Sequence, residues 1–242
     1  MISKNEIKFI KSLKLKKYRN RERQFLVEGE KNVDEVLASK LQTLKLFCTG
    51  KVAGKYLARG AVEISEAQMA QISTLKTNET CLAVASMPAP GTQHVSGDTH
   101  TFVLDRIADP GNLGTIIRTL DWFGYHQLVC SEDCADFFHP KTISASMGSF
   151  TRLQPMYHDL DKFLAGESRP VYGLALGGEP LESVRRFEPS IFVMGSESHG
   201  IRDSVLARLT HQLRISGHGQ AESLNVAIAT AIVAFHLRSC QL

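Results

Sequence analysis

Several large protein classes are excluded by what this chain lacks. No apolar run approaches the roughly 18–20 residues that a membrane span needs, and the basic segment Met1–Lys17 has no apolar core of the kind a secretory signal carries. The five cysteines, Cys48, Cys81, Cys130, Cys134 and Cys240, are odd in number and scattered. That pattern excludes a disulfide framework and reads as the reduced thiols of a cytoplasmic protein. Cys130 and Cys134 form a C-x3-C pair with His139 downstream, but no second Cys or His pair stands at zinc-binding spacing. Free core thiols, and no metal, are expected there. No G-x-G-x-x-G opens a strand-to-helix turn, and there is no G-x-x-x-x-G-K-[ST] loop, G-x-S-x-G elbow or H-E-x-x-H pair. A conventional dinucleotide site, a P-loop, a hydrolase elbow and a zinc protease are thereby set aside.

What is present is ordinary globular composition: 242 residues, 43% hydrophobic and 22% charged, enough for one large or two small domains. The formal net charge of +3 conceals a split. Residues 1–60 hold 15 Lys/Arg against 6 Asp/Glu, and residues 61–242 hold 13 against 19. A basic front on an acidic remainder points to a polyanionic partner, with a solvated lysine-rich surface as the plainer alternative.

Ser3 and Glu6 form a capping-box pair before a helix whose Ile7, Ile10 and Leu13 share one face and Lys4, Lys8 and Lys11 another. Lys14 to Arg23 reads as a basic loop with one aromatic, Tyr18. Strands are expected at Phe25–Val27, Leu44–Cys48, Val62–Ile64 and Leu82–Ala85, and helices near 30–39 and 66–73. A small α/β domain over 1–86 follows. Residues 87–99, rich in Pro, Gly, Ser and Thr, read as a linker. From 100 to 242, strand patterns (Thr101–Asp105, Gln127–Cys130, Val171–Leu176, Ile191–Met194, Leu213–Ile215) alternate with helical ones (112–123, 142–147, 158–165, 202–208, 224–237). The class expected is α/β, a mostly parallel sheet covered by helices on both faces.

In such sheets ligands bind beyond the carboxyl ends of the strands, and three strand-end loops stand out. The first, Asp105 to Arg118, puts Asn112 near a helix start and Arg118 nearly two turns on; a capping Asn and a surface Arg is the plain alternative. The second, Gly195-Ser196-Glu197-Ser198-His199-Gly200, carries two glycines that let backbone approach a ligand. The third runs from Ile215 to Asn225, where Ser223 could simply cap the next helix.

Together and in this order the loops resemble the SpoU/TrmH branch of the SPOUT RNA methyltransferases, over about residues 101–240. Asp109 to Arg118, Val193 to Gly200 and Ser223 to Ala227 match its three motifs, and Ser144 to Ser149 a further stretch. The basic front with Phe25–Gly29 resembles the family's small ribosomal-protein-like, RNA-binding domain. The resemblance implies S-adenosylmethionine-dependent 2′-O-methylation of a ribose in ribosomal or transfer RNA. It also implies a homodimer through the catalytic domain and a C-terminal trefoil knot whose loops hold the cofactor. Connection rules alone would not suggest a knot. By the resemblance, Arg118 acts on the ribose hydroxyl, and Asn112, Glu197 and Asn225 orient it or the ribose. Leu174, Ala175, Leu176, Gly195, Ile215, Ser223 and Leu224 hold the cofactor. RNA contacts are expected from Lys4, Lys8, Lys11, Lys14, Lys16, Lys17, Arg19, Arg21 and Arg23. One departure is Ile215-Ser216-Gly217 where the family usually has Ile-Pro-Met, which loosens that turn. A guanidinium stays protonated, so Arg118 reads better as a donor to phosphate and developing oxyanion than as a base. The competing classes are a non-catalytic RNA chaperone on the same fold and a metabolic enzyme binding a small phosphate ligand.

Overall fold

The structure is a computed structural model that describes residues 2–89 and 95–240. In chain order its elements are α1 (Lys4–Ser12), α2 (Lys16–Glu22), β1 (Gln24–Glu28), α3 (Glu30–Ala38), β2 (Thr43–Cys48), α4 (Ala53–Tyr56), β3 (Val62–Glu63), α5 (Glu66–Ile72), β4 (Cys81–Ser86), β5 (Thr101–Leu104), α6 (Pro110–Trp122), β6 (Leu128–Ser131), α7 (Pro140–Ala145), β7 (Met156–His158), α8 (Leu160–Ala165), β8 (Val171–Pro180), β9 (Ile191–Met194), α9 (Asp203–Leu206), β10 (His211–Arg214) and α10 (Val226–Ser239). They form two compact units, residues 1–91 with 136–151, and 92–135 with 152–242.

The first unit is built on a four-stranded sheet in the order β1-β4-β2-β3, antiparallel except for β2 with β3. Its core joins Ile10 and Leu13 of the first helical segment to Leu26, Phe47, Leu82 and Val84 of the sheet and Met69 and Ile72 of α5. The capping box at α1 forms in full: the Ser3 hydroxyl accepts from the Glu6 N–H, and the Glu6 carboxylate accepts from the Ser3 N–H. Two expectations are corrected here. The basic loop is a helix, α2, because Lys16 to Glu22 contains neither glycine nor proline and consists of tolerable helix formers. It ends at Arg23, which takes a left-handed φ of 54°. Short helical turns also fill 50–59, where no element was expected.

A further difference concerns the chain's division. Residues 136–151 were expected in the second domain, yet they pack in the first unit. Phe138 and Phe150 meet the Phe25 ring at 4.8 and 6.1 Å between centroids, and α7 lies against β1. Arg19, 1% exposed, donates to the Leu13 and Lys14 carbonyls and pairs with Asp136 at 2.5 Å. Of the stretch read as linker, residues 90–94 lie outside the described residues. Val95 packs on the core of the second unit, and the Ser96 carbonyl accepts from Gln127 and Arg169.

The second unit is a six-stranded sheet in the order β10-β8-β9-β5-β6-β7, parallel at every pairing. β5, β6 and β9 are buried at every residue, as parallel strands covered on both faces must be. Val103, Val129, Val171, Ile191 and Val193 pack with Leu160 and Leu164 of α8 and Val205 of α9. α6 and α10 pack on each other. β7 was not expected from the sequence, and β8 runs to Pro180 rather than ending at Leu176.

Removing Asp136 leaves a buried guanidinium without its counter-charge. Asp136→Ala is expected to destabilise the fold by about 3–5 kcal/mol in denaturant titration; a change below about 1 kcal/mol would mean that the Arg19 pair is not what closes this part of the core.

Candidate active site

The parallel ladder aligns the carboxyl ends of neighbouring strands, and the three unusual loops all leave from that edge. The first begins α6. Its cap is Asp109, whose side chain accepts from the Asn112 N–H at 2.9 Å, with Pro110 at the first helical position. Asn112 is therefore free of capping. Its Nδ2 donates to Glu197 Oε1 at 3.1 Å, and its Oδ1 accepts from Asn225 Nδ2 at 3.0 Å.

Glu197 stands in the turn after β9. Ser196 and Gly200 close that turn with a pair of backbone hydrogen bonds of 3.1 and 2.8 Å. Gly195 is required by close approach, since a Cβ there would lie 2.3 Å from the Gly200 carbonyl carbon. Glu197 Oε1 accepts from Asn112, from Asn225 Nδ2 at 2.5 Å and from the Val226 N–H at 3.2 Å. That last donor is at the N-terminus of α10, where the helix dipole favours a carboxylate.

Asn225, not Ser223, caps α10. Its Oδ1 accepts from the Ala227 and Ile228 N–H groups, while its Nδ2 makes the two bonds to Glu197 and Asn112. Capping and site-building thus fall on one side chain, because an amide has an acceptor end for the helix and a donor end for the site. Ser223 is exposed in the loop before it.

The fourth expected catalytic residue is elsewhere. Arg118 is exposed on α6, six positions after Asn112, and makes no hydrogen bond or ion pair among the described residues. At 100° per residue it faces away from Asn112 and shares a stripe with Trp122, which is 84% exposed.

Of the expected cofactor residues, Gly195 lies in the second loop and Ile215, Ser223 and Leu224 in the third, while Leu174 to Leu176 directly follow Gly173, which pairs with Val193 of β9. β10 pairs with β8 at Gly173 and next at Glu179, so Leu174 to Gly178 leave the ladder as an excursion that includes Leu174, Ala175 and Leu176. Leu176 is 79% exposed. Between Ser216 and Leu224 no backbone N–H makes a hydrogen bond among the described residues. The altered turn is tied by a side chain in place of a proline ring: the Ser216 hydroxyl donates to Glu182 and holds its carboxyl below the usual range.

Part of the site's support was not foreseen. Asp105, fully buried at the end of β5, accepts from the Arg202 N–H at 2.7 Å and from Arg202 Nε at 2.6 Å. Arg202 Nη2 also reaches Asp133 at 2.9 Å. Asp105 is the main reason the Arg202 guanidinium is held above its ordinary value. The network braces the turn bearing Glu197 against β5. An acid closing an apolar strand was the available signal, but its partner lies 97 residues on. Cys134, pulled down to about 7 chiefly by a hydrogen bond with Cys130, accepts from the Ile107 N–H at 3.3 Å. His139 is the cap of α7, and no group of metal ligands exists among the described residues.

On the basic front, Lys4, Lys8, Lys11, Lys16, Lys17, Arg21 and Arg23 are exposed. Lys14 is half-buried and donates to the Ser73 carbonyl at 2.7 Å. Arg19 is the correction: sealed against Asp136, it cannot meet RNA.

Comparison with known proteins places this arrangement. The profile of the SpoU rRNA Methylase family matches residues 99–235, and that of an MRM3-like substrate binding domain matches residues 4–83. The chain belongs to the SpoU rRNA methylase family. A 23S rRNA (guanosine(2553)-2′-O)-methyltransferase from Bacillus subtilis is 31% identical over 98% of this chain and 97% of its own. A TrmH-family structure from Porphyromonas gingivalis superposes with a TM-score of 0.86 at 38% identity, covering 99% of both chains. An S-adenosylmethionine-bound rRNA methyltransferase from Sinorhizobium meliloti gives 0.85 at 28% identity, over 100% of this chain and 98% of that one.

Glu197→Ala removes the acceptor shared by three donors on two other segments. It should lower methyl-transfer kcat/KM at least 100-fold through misplacement of the loops, with the melting midpoint nearly unmoved; near-native kcat/KM would show that the cluster is dispensable.

Proposed function

We propose that this chain is an S-adenosylmethionine-dependent methyltransferase acting on a ribose 2′-hydroxyl of ribosomal or transfer RNA, in the cytoplasm. The carrying observation is the junction of Asn112, Glu197 and Asn225, which draws three separate loops to one point beyond the sheet. The chain fits the cofactor. The 216–224 segment offers unused backbone donors for a purine, and Leu176 and Leu224 offer exposed apolar side chains. Leu174 to Leu176, Gly195, Ile215, Ser223 and Leu224 would hold it. When bound, it supplies an electrophilic methyl group on a positively charged sulfur. Glu197 Oε2, which has no partner among the described residues, remains available to accept from a ribose hydroxyl. Arg118 donates to the neighbouring phosphate and to the oxygen as charge develops on it, and phosphate or water takes the proton.

Arg118 cannot do this within its own chain's cluster, which supports a homodimer. Trp122 on α6 and Ile228 and Phe235 on α10 are 84%, 52% and 61% exposed, uncovered apolar side chains on two packed helices that we read as one docking face. A second copy seated on that face would bring Arg118, one turn from Trp122, to the other copy's site. The trefoil knot that the family resemblance implies for the C-terminal segment is supported by the path of the chain. After the edge strand β10, Asn225 must return to Asn112 and Glu197, at the ends of inner strands β5 and β9. Residues 1–86 would bind RNA through Lys4, Lys8 and Lys11, a one-face stripe, together with the exposed cations of α2.

Calorimetry with S-adenosylmethionine separates this from a non-catalytic RNA chaperone, which would show no binding. Arg118→Lys, with cofactor binding intact, should lose most activity; activity near wild type would sink the forked-donor role. Mixing Arg118→Ala and Glu197→Ala chains should restore about a quarter of wild-type activity, since half of the random dimers carry one intact site; no recovery would place Arg118 in its own chain's site. Charge reversal at Lys4, Lys8 and Lys11 should weaken RNA binding and flatten its salt dependence, and unchanged binding would reassign the front.

A further inference from the structure

Arg106 directly follows Asp105 at the end of β5 and precedes the Asp109–Asn112 turn. We propose that it is an additional contact to the RNA backbone, gripping a phosphodiester at the rim of the catalytic loops. This rests on the methyltransferase reading above. The first observation is conformational. Arg106 has a φ of 60°, in the left-handed region that disfavours side chains with a Cβ. Among the described residues only Arg23 and Met147 share this without being glycine, and Arg23 closes a helix, where such a conformation is routine. At Arg106 a glycine would satisfy the backbone better.

The second observation is that the fold makes little use of this guanidinium. The Asp105 carboxylate is engaged by the Arg202 N–H and Nε, and Asp133 by Arg202 Nη2. Arg106 Nε is 3.8 Å from Asp105 Oδ1 and has no hydrogen-bond partner although it is shut off from solvent. Nη2 reaches only the Gly200 carbonyl, at 3.5 Å. Five N–H donors are thus served by one long contact. The backbone, by contrast, is fixed: the Arg106 N–H donates to Ser131 Oγ at 2.9 Å. The side chain is aimed but unsatisfied, and it is one-third exposed.

Position and charge identify the ligand. Arg106 borders both the Asn112 turn and the Ser196–Gly200 turn that carries Glu197. Residues 61–242 carry six more acids than bases, so an approaching polyanion needs local cations. Arg202 is neutralised by Asp105 and Asp133, Arg169 by Glu167, and Arg152 by Asp121. Arg106 keeps its donors for a group with several acceptor oxygens, which a phosphodiester has and a base edge presents less evenly.

The test compares wild type, Arg106→Gly and Arg106→Lys for binding to an unmodified large-subunit rRNA transcript across a salt series. S-adenosylmethionine calorimetry and thermal melting run alongside. Arg106→Gly should weaken RNA binding about tenfold and reduce the slope of log K against log salt by about one. Cofactor affinity should stay unchanged, and the melting midpoint should hold or rise because glycine accepts the backbone. Arg106→Lys should keep the salt slope and part of the affinity. Unchanged RNA affinity and slope in Arg106→Gly would overturn the proposal, as would a fall in its melting midpoint or cofactor affinity, which would assign the side chain to the fold. A wild-type chain that binds the transcript but neither binds S-adenosylmethionine nor transfers methyl would overturn the methyltransferase reading instead, a distinct result.

Discussion

One carboxylate oxygen, Glu197 Oε1, ties the catalytic unit's loops together. It receives donors from the start of α6, from the residue before α10 and from the first N–H of α10. Each of these segments is otherwise a strand-end loop with little regular pairing. The oxygen's position depends on the Ser196–Gly200 turn, which depends on a residue without a Cβ at 195. It depends also on the Asp105–Arg202 brace that anchors the chain just beyond that turn. A site of this kind is assembled by distant residues agreeing on one acceptor, so its geometry is only as good as the sheet that lines up the strand ends.

Much of this was legible in the sequence for physical reasons. Short apolar strands alternating with helices admit few arrangements other than a covered parallel sheet. The loops that hold Asn112, Glu197 and Asn225 stood out because all three follow strands of one sheet, while the roles of those residues came from the family resemblance. The capping alternatives, Asn112 and Ser223, each missed by a few residues: Asp109 and Asn225 are the caps, and Asn225 caps its helix with one end of the amide while building the site with the other.

The parts that escaped involve partners far apart in the chain or cations with unexpected burial. Arg19 lies in a run of basic residues and reads as one more surface cation, but it is sealed by a carboxylate 117 residues on. The α2 helix was hidden by the same run, since a strongly basic stretch without apolar periodicity looks like a loop. The spacing of Arg118 from Asn112, nearly two turns of helix, was plain in the sequence; what the spacing did not show is that Arg118 stands outside the Asn112–Glu197–Asn225 cluster of its own chain.

The stretch 136–151 has a consequence for how this protein comes into being. The core of the first unit needs Phe138 and Phe150 beside Phe25, and Asp136 beside Arg19. During synthesis those residues leave the ribosome only after β5, α6 and β6 have been made. The amino-terminal unit therefore cannot complete its folding as an independent first act; for much of translation it holds an unpaired arginine and an uncovered aromatic surface. Exchange of this unit between relatives would accordingly require two grafts, at separate places in the gene, made together.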